Sequence, residues 1–424
     1  MSSIASSGSG ATRRWCSVSP DFRRLWLGQG ISVIGSSITL LALPLTAAVY
    51  LSATPTEMGY LTALNWLPIL LFALFFGAWA DRLPHRPVLI ATDLARALIL
   101  ITIPAAAIAG TLSIAHVLLA AFLAGSMTVL FRAAYTPFIP ALVDRSELVR
   151  ANSRLALNES VARVAGPSLG GLLVQVVTAP IAIAADAASF VVSAIAVWSI
   201  HVVETPPDRA TRRPLWREIG EGIDFIRHNP FIRSVVTIAL IFNVSITLGE
   251  VNLILYATRF LGLSGALLGA VFAIGGVASV LGATQVARVT KRFGIGPSMS
   301  VAVALVGLSW AFVLIAGGTP LAAAGYLSLQ AAIASFGAAI FNVTSAAMYQ
   351  AAVPLRLQGR VSGAGQVLGL GLAPIAALTG GWLGDHIGVW NTLAISLAGN
   401  VLGLAYVVVS PLRGIKTADD VTPR

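Results

Sequence analysis

Runs of roughly 20 or more apolar residues recur along almost the whole chain, and they limit the fold more than any other feature. An α-helix rises 1.5 Å per residue, so about 20 residues cross the ~30 Å hydrocarbon core of a bilayer. In lipid each such segment must satisfy its own backbone N–H and C=O groups, which makes it a helix. The runs fall near 25–50, 57–80, 88–110, 114–142, 154–178 and 180–202, then near 233–257, 265–287, 298–317, 320–350, 361–383 and 390–411. The pattern predicts an all-α polytopic membrane protein of twelve spans. Only 10% of the 424 residues are charged, against about 25% in soluble proteins.

The basic residues sort by loop and give an orientation. Of 27 Lys and Arg, Arg96, Arg132 and Arg163 fall inside spans, Arg259 lies in one set of loops, and the rest lie in the other set. Basic residues concentrate on the cytoplasmic side of membrane proteins. Both termini and the central connection are therefore expected in the cytoplasm of a cell (inner or plasma) membrane protein. That distribution accounts for the net charge of +10, so no nucleic-acid partner is implied. The lone Cys16 forms no internal disulfide, and the five histidines show no metal-binding spacing. The polar stretch before Cys16 has no apolar core, which argues against a cleaved signal peptide.

Residues 1–24 read as a cytoplasmic N-terminal segment, 25–202 as an N-terminal six-helix bundle, 203–232 as a cytoplasmic linker, 233–411 as a C-terminal six-helix bundle and 412–424 as a tail. Within the linker, Leu215, Ile219, Ile223 and Ile226 predict one face of an amphipathic helix lying on the cytoplasmic surface. The two bundles look like copies. Pro20-Asp-Phe-Arg23 recurs as Pro230-Phe-Ile-Arg233 at an offset of 210. Gly77-Ala78 and Arg86 match Gly282-Ala283 and Lys291 at 205, and Gly166-Pro167 matches Ala373-Pro374 at 207. Three matches in corresponding positions argue for a six-plus-six duplication with parallel halves.

Two motifs carry chemistry. Between the second and third spans, Gly77 precedes Asp81, Arg82 and Arg86, a charge cluster at a helix end that can latch an inner gate in one state and release it in another. In the fifth span, Gly166-Pro167-Ser-Leu-Gly170-Gly171 puts helix-weakening residues in an apolar run. Small residues let two membrane helices approach closely, and Pro allows a controlled bend.

Twelve spans, the cytoplasmic Gly-x-x-x-Asp-Arg loop and Gly-Pro-x-x-Gly-Gly in the fifth span resemble the major facilitator superfamily over nearly the whole chain. The fifth-span motif resembles the signature of its proton-coupled exporters. The loop wording, including Asp81-Arg82-Leu-Pro and Gln358-Gly359-Arg360-Val361, is similar to the branch with macrolide-efflux pumps and the enterobactin exporter. The loop departs from the family by continuing Pro84-His85-Arg86. Arg132 matches the fourth-span arginine motif of drug antiporters only loosely, without its downstream glycines. The resemblance implies two bundles that rock around a central cavity, the major facilitator fold.

Ionisable groups inside spans are costly to bury and are candidates for function. Asp93 and Arg96 are three apart, and Glu159 and Arg163 four apart, so each pair can meet on one helix face. Asp186 and Glu250 have no charged partner within helical reach. With Glu159 they are the candidate proton carriers, because an isolated carboxyl in an apolar setting suits proton loading and release. Arg132, Asn243 and Asn342 are candidates for the substrate cavity between the halves.

No phosphate-binding loop, metal cluster or other enzyme signature occurs, and no cofactor is implied. The resulting expectation is a monomeric secondary transporter. It would export a small hydrophobic or amphipathic compound (an antibiotic, siderophore or secondary metabolite) through the lipid bilayer in exchange for protons. An importer or uniporter on the same fold, and a non-transporting receptor or scaffold, are the alternative readings.

Overall fold

A computed structural model describes residues 19–80, 83–202 and 215–415. The first half contains α1 (Pro20–Leu45), α2 (Pro55–Ala80), α3 (His85–Ile108), α4 (Ile114–Leu142), α5 (Leu148–Val176) and α6 (Ala179–Trp198). A linker helix α7 (Leu215–His228) follows. The second half contains α8 (Pro230–Leu255), α9 (Gly265–Phe293), α10 (Ile295–Leu314), α11 (Pro320–Ala352), α12 (Gln358–Leu370), α13 (Ala373–His386) and α14 (Val389–Val409). No strand occurs among the described residues. Ten helical segments, with α12 and α13 together as one, are long and apolar enough to cross a membrane. The 26-residue α2 and the 29-residue α5 complete a set compatible with twelve spans.

The helices start where local chemistry dictates. Ser19 caps α1 by accepting from the Phe22 N–H at 3.2 Å, with Pro20 in the first helical position. Asn229 does the same for α8, accepting from Phe231 and Ile232 ahead of Pro230. A side-chain oxygen at that place satisfies N–H groups that no helical carbonyl can reach, and Pro has none to satisfy. Both helices end in a wide π-turn, Thr46–Tyr50 and Tyr256–Phe260.

Those paired features share one register. α1 and α8, their π-turns, the starts of α2 and α9, the short turns Arg145–Glu147 and Leu355–Leu357, and the starts of α6 and α14 are all 210 residues apart. Unusual backbone conformations repeat likewise: Ser52 (φ 55°) answers Gly262 (φ 67°), and Thr178 (φ 122°) answers Gly388 (φ 91°). The offsets of 205 and 207 expected from sequence are therefore corrected to 210. Gly77-Ala78 corresponds to Ala287-Arg288, and Gly166-Pro167 corresponds to Ala376-Ala377. Pro374 stands three residues, nearly one helical turn, before the position equivalent to Pro167. It sits in the first turn of α13, just after a break at Gly371-Leu372, whereas α5 runs unbroken through Pro167.

Ser19 and Ile415, where the described chain begins and ends, lie with α7 and the starts of α3 and α5 at one end of the bundles, here called the near end. At the opposite, far end the halves share their apolar core. Val251, Leu255 and Ala377 of the second half pack with Leu43, Met58 and Ile183 of the first, and Leu41 and Leu45 join a cluster with Tyr256, Val313 and Leu327. At the near end the cores are separate. Phe22, Leu89 and Phe138 belong to one half, and Ile232, Met299 and Met348 to the other.

Glycines make the far-end closure possible. Gly171 of α5 crosses α9 at Gly265 and Gly269, and Gly381 of α13 crosses α2 at Pro55 and Gly59. A methyl on Gly269 would sit 2.5 Å from the Pro167 carbonyl oxygen, and one on Gly59 would sit 2.8 Å from that of Ala377. Beside them, Gly170 packs on Ile38 and Gly380 on Leu248. Every member of one set lies 210 residues from its counterpart. At the near end, by contrast, Gly77, Gly359 and Gly363 have open space where a side chain would project.

Of the face expected for the linker helix, Ile226 is buried and Ile223 is not, and the side chains of Leu215 and Ile219 lie outside the described residues. Gly222 and Ile226 are buried against α12, with Gly222 on the Arg360 backbone and Ala364, while Ile223 is exposed. Glu221 pairs with Arg360. The helix is thus docked on the near end of the second half, with Gly222 and Ile226 forming its packed face.

Candidate functional site

Three buried charges meet inside the first half. Asp93 and Arg96, one turn apart on α3, form an ion pair in which both side chains are almost wholly buried. The Arg96 guanidinium lies between two rings, 4.4 Å from the Phe131 centroid on α4 and 4.0 Å from that of Phe190 on α6. Such stacking on aromatic faces is an attraction of order 2 kcal/mol when desolvated. Asp186 of α6, which has no charged partner along its own helix, is close enough to Arg96 to interact with it electrostatically. Its Oδ1 accepts from Ser189 Oγ at 3.1 Å and from Ser36 Oγ at 3.4 Å.

Packing explains how these side chains fit. Gly35 on α1 leaves room for Ser189 and Asp186, both of which a methyl there would strike. Gln29 on the same helix donates to Ser193 Oγ at 2.8 Å, and Ser193 lies beside Asp93. The network therefore ties α1, α3 and α6 together. One Asp93 oxygen and the Arg96 Nε remain without a hydrogen bond among the described residues. Two carboxylates face one guanidinium, so the cluster is neutral when it holds one proton. A buried group of this kind is strongly driven toward charge balance.

Among the described residues the second half has no such cluster. The positions equivalent to Asp93, Arg96 and Asp186 are Val303, Val306 and Ser396. Ser396 donates to the Ser245 carbonyl oxygen at 2.7 Å, an ordinary helix–helix bond. The duplication has kept the scaffold and placed the charge in one copy.

The other sequence candidates are more accessible. Glu159 and Arg163 form an ion pair at 3.6 Å on α5, with about three-fifths of each side chain exposed. Glu159 also lies within electrostatic reach of Tyr135, whose ring stacks on Phe131 at 5.4 Å. Arg132 is exposed one residue from Phe131 and is near enough to Arg96 to repel it. Glu250 on α8 is accessible although protein surrounds it, as expected of a group lining an internal cavity, and it has no ion pair among the described residues. Asn243, seven residues earlier on α8, donates to its own Ala239 carbonyl oxygen at 2.8 Å. Asn342 is exposed on α11.

In the loop motif, Asp81 and Arg82 lie outside the described residues. Arg86 donates from Nε to the Val197 carbonyl oxygen at 3.3 Å and also to that of Trp198. It therefore caps the end of α6, where Arg24 also binds the Ser199 carbonyl oxygen at 2.7 Å. A cation on a helix C-terminus is favoured by the helix dipole. In the fifth span, Gly166, Pro167, Gly170 and Gly171 are all buried, Gly166 against Ser37 of α1.

Sequence reasoning missed two residues, Arg259 and Asp385, both reaching across the far end. The signal was present for one: Arg259 stands where basic residues are otherwise absent.

A model of the Major Facilitator Superfamily matches residues 25–378. The multidrug efflux pump Tap of Mycolicibacterium fortuitum is 25% identical over 397 residues, covering 91% of this chain and 94% of that protein. Among solved structures, a variant of the nucleoside transporter NupG superposes with a TM-score of 0.77 at 11% identity, covering 92% of this chain and 99% of the other. A bacterial homologue of the iron transporter ferroportin in its inward-facing state gives 0.72 at 17% identity, covering 92% and 98%. The outward-facing state of such a homologue gives 0.55.

Proposed function

The chain belongs to the Major Facilitator Superfamily, and we propose that it exports a small hydrophobic or amphipathic compound across the cytoplasmic membrane in exchange for protons. The observation that carries this reading is the Asp93–Arg96–Asp186 cluster. It is charge-balanced with one proton, and it is built into one half. The likeness to a multidrug efflux pump and the Gly-Pro-x-x-Gly-Gly motif of α5 support outward transport.

In this reading the Arg-rich near end faces the cytoplasm, so the structure is closed outside and open inside. Substrate enters between the halves, where Arg132, Asn243, Glu250 and Asn342 supply polar contacts. Asp186 takes or gives the proton, and Glu250 either shares that role or holds a polar part of the substrate. Asp81, Arg82 and Arg86 latch the near end when the halves rock the other way.

Everted membrane vesicles test the proposal. With a pH gradient imposed, a transported compound releases protons in the parent protein and not in Asp186→Asn. Glu250→Gln separates the two roles for that residue: loss of proton release with substrate binding intact assigns it to coupling. If compounds are transported with no proton release, proton coupling is wrong. If they are accumulated in the opposite sense, export is wrong.

A further inference from the structure

Two side chains of the second half grip a single turn of the first at the far end. Arg259, in the π-turn after α8, donates to the carbonyl oxygens of Ala48 at 2.9 Å and Ala53 at 2.7 Å. Asp385, at the end of α13, accepts from the Thr56 N–H at 2.9 Å. Ala48 lies in the last turn of the first span and Thr56 in the first turn of α2. The cation therefore sits on a helix C-terminus and the anion on a helix N-terminus, each matching the local dipole.

These contacts complete the hydrogen bonding of the turn. The Thr46 and Ala47 carbonyl oxygens accept from Leu51 and Ala53, so that of Ala48 is next in line and goes to Arg259. At the start of α2, Thr54 and Glu57 cap each other reciprocally, Glu57 accepting from the Thr54 N–H at 2.7 Å and Thr54 Oγ1 from the Glu57 N–H at 3.2 Å. Met58 donates to the Thr54 carbonyl oxygen, and Pro55 has no N–H to place. That leaves the Thr56 N–H, which Asp385 takes. The Arg259 bonds are half-buried and the Thr56–Asp385 bond is exposed, so the loss of these partners costs on the modest scale of a helix cap.

The grip runs one way. At the equivalent positions in the first half stand Val49 and Gln175, neither charged. We infer that Arg259 and Asp385 are positioning residues for the transport cycle, a one-sided far-end latch that holds the halves closed by capping the ends of the first and second spans. Opening the far end removes both caps at once, so the latch sets how often the far end opens. The inference rests on rocking of the two halves and is independent of the proposed direction and of protons.

Double electron–electron resonance on purified protein tests it without substrate or gradient. In a Cys16→Ser background, spin labels at Ile108→Cys and Leu321→Cys report the far end, and labels at Val149→Cys and Leu355→Cys report the near end; all four positions are exposed. In Arg259→Ala/Asp385→Ala the far-end-open population rises about fivefold or more, the scale of a lost helix cap, and the near-end distances shorten in step. Arg259→Lys and Asp385→Glu return the distributions toward the parent. Unchanged distances in a monodisperse double variant overturn the inference. So does a far-end change with no near-end response, which marks local fraying. If the double variant does not fold, Arg259→Gln and Asp385→Asn are read by the same criteria.

Discussion

The carbonyl oxygen of Pro167 on α5 faces Gly269 on α9 so closely that a single methyl there would lie 2.5 Å from it. The contact joins the two halves backbone to backbone, and Ala377 and Gly59 make its counterpart on the other side of the molecule.

Gly269→Leu therefore forces the far end apart. Overpacking of a close contact costs about 1–3 kcal/mol, enough to shift the population between closed and open far ends. The expected result, in a Cys16→Ser background, is labelling by an impermeant thiol reagent of a cysteine introduced at a buried far-end position such as Ala48→Cys, with transport reduced at least severalfold. Gly59→Leu has the same effect through the symmetry-related crossing. A variant that stays closed and transports normally refutes the role of these crossings.

Arg96→Ala and Asp186→Asn separate stability from coupling. Removing the guanidinium leaves Asp93 buried and unpaired, which costs about 3–5 kcal/mol and is expected to lower the thermal midpoint sharply. Asp186→Asn preserves shape, and the amide can still accept from Ser189 and Ser36. That variant is expected to retain most of its thermal stability while losing proton release. Measured midpoints in detergent alongside vesicle assays distinguish the two.

Thr178→Gly is expected to stabilise the protein. Thr178 has φ 122° where its counterpart Gly388 has φ 91°, and a β-branched residue there carries strain of about 1–3 kcal/mol. Glycine regains part of that, less the entropy it adds to the unfolded chain. A rise in the thermal midpoint with unchanged transport checks it.

Gly222→Val should detach α7 from α12. A side chain at that position meets the Arg360 backbone and lies 2.9 Å from the Ala364 Cβ. Limited proteolysis in the connection between the halves is expected to speed up severalfold, with the bundles intact. No change would show that the Glu221–Arg360 pair and Ile226 hold the helix unaided.

The bundle was legible from sequence because apolar runs of membrane length report burial directly. The duplication was legible in outline, but its register was blurred. Prolines and Gly-Ala pairs are tolerated at several depths of a membrane helix, so Pro374 drew the comparison to 207 when the packed glycines at 170–171 and 380–381 keep 210. Local pairs such as Asp93–Arg96 follow from helical spacing. The approach of Asp186 to Arg96 does not, since it depends on how α6 packs on α3 around Gly35. Asp385 was invisible for a similar reason: its partner is a backbone N–H, which leaves no mark on the sequence.

The constant offset of 210 also bears on how such a chain can evolve. Adding or removing one residue inside a helix turns everything beyond it by about 100°, which would carry the crossing glycines off their partners. Since the two copies separated, substitutions have changed Val to Arg or Arg to Val, and Gly to Thr or Thr to Gly, while the spacing between Pro20 and Trp198 has stayed that of Pro230 and Val408. The lineage has been free to exchange chemistry between its copies, while the spacing of the elements that carry the crossings has been held fixed; the turn between α3 and α4 is shifted, its cap Ser113 lying 206 residues from Thr319, the cap of α11.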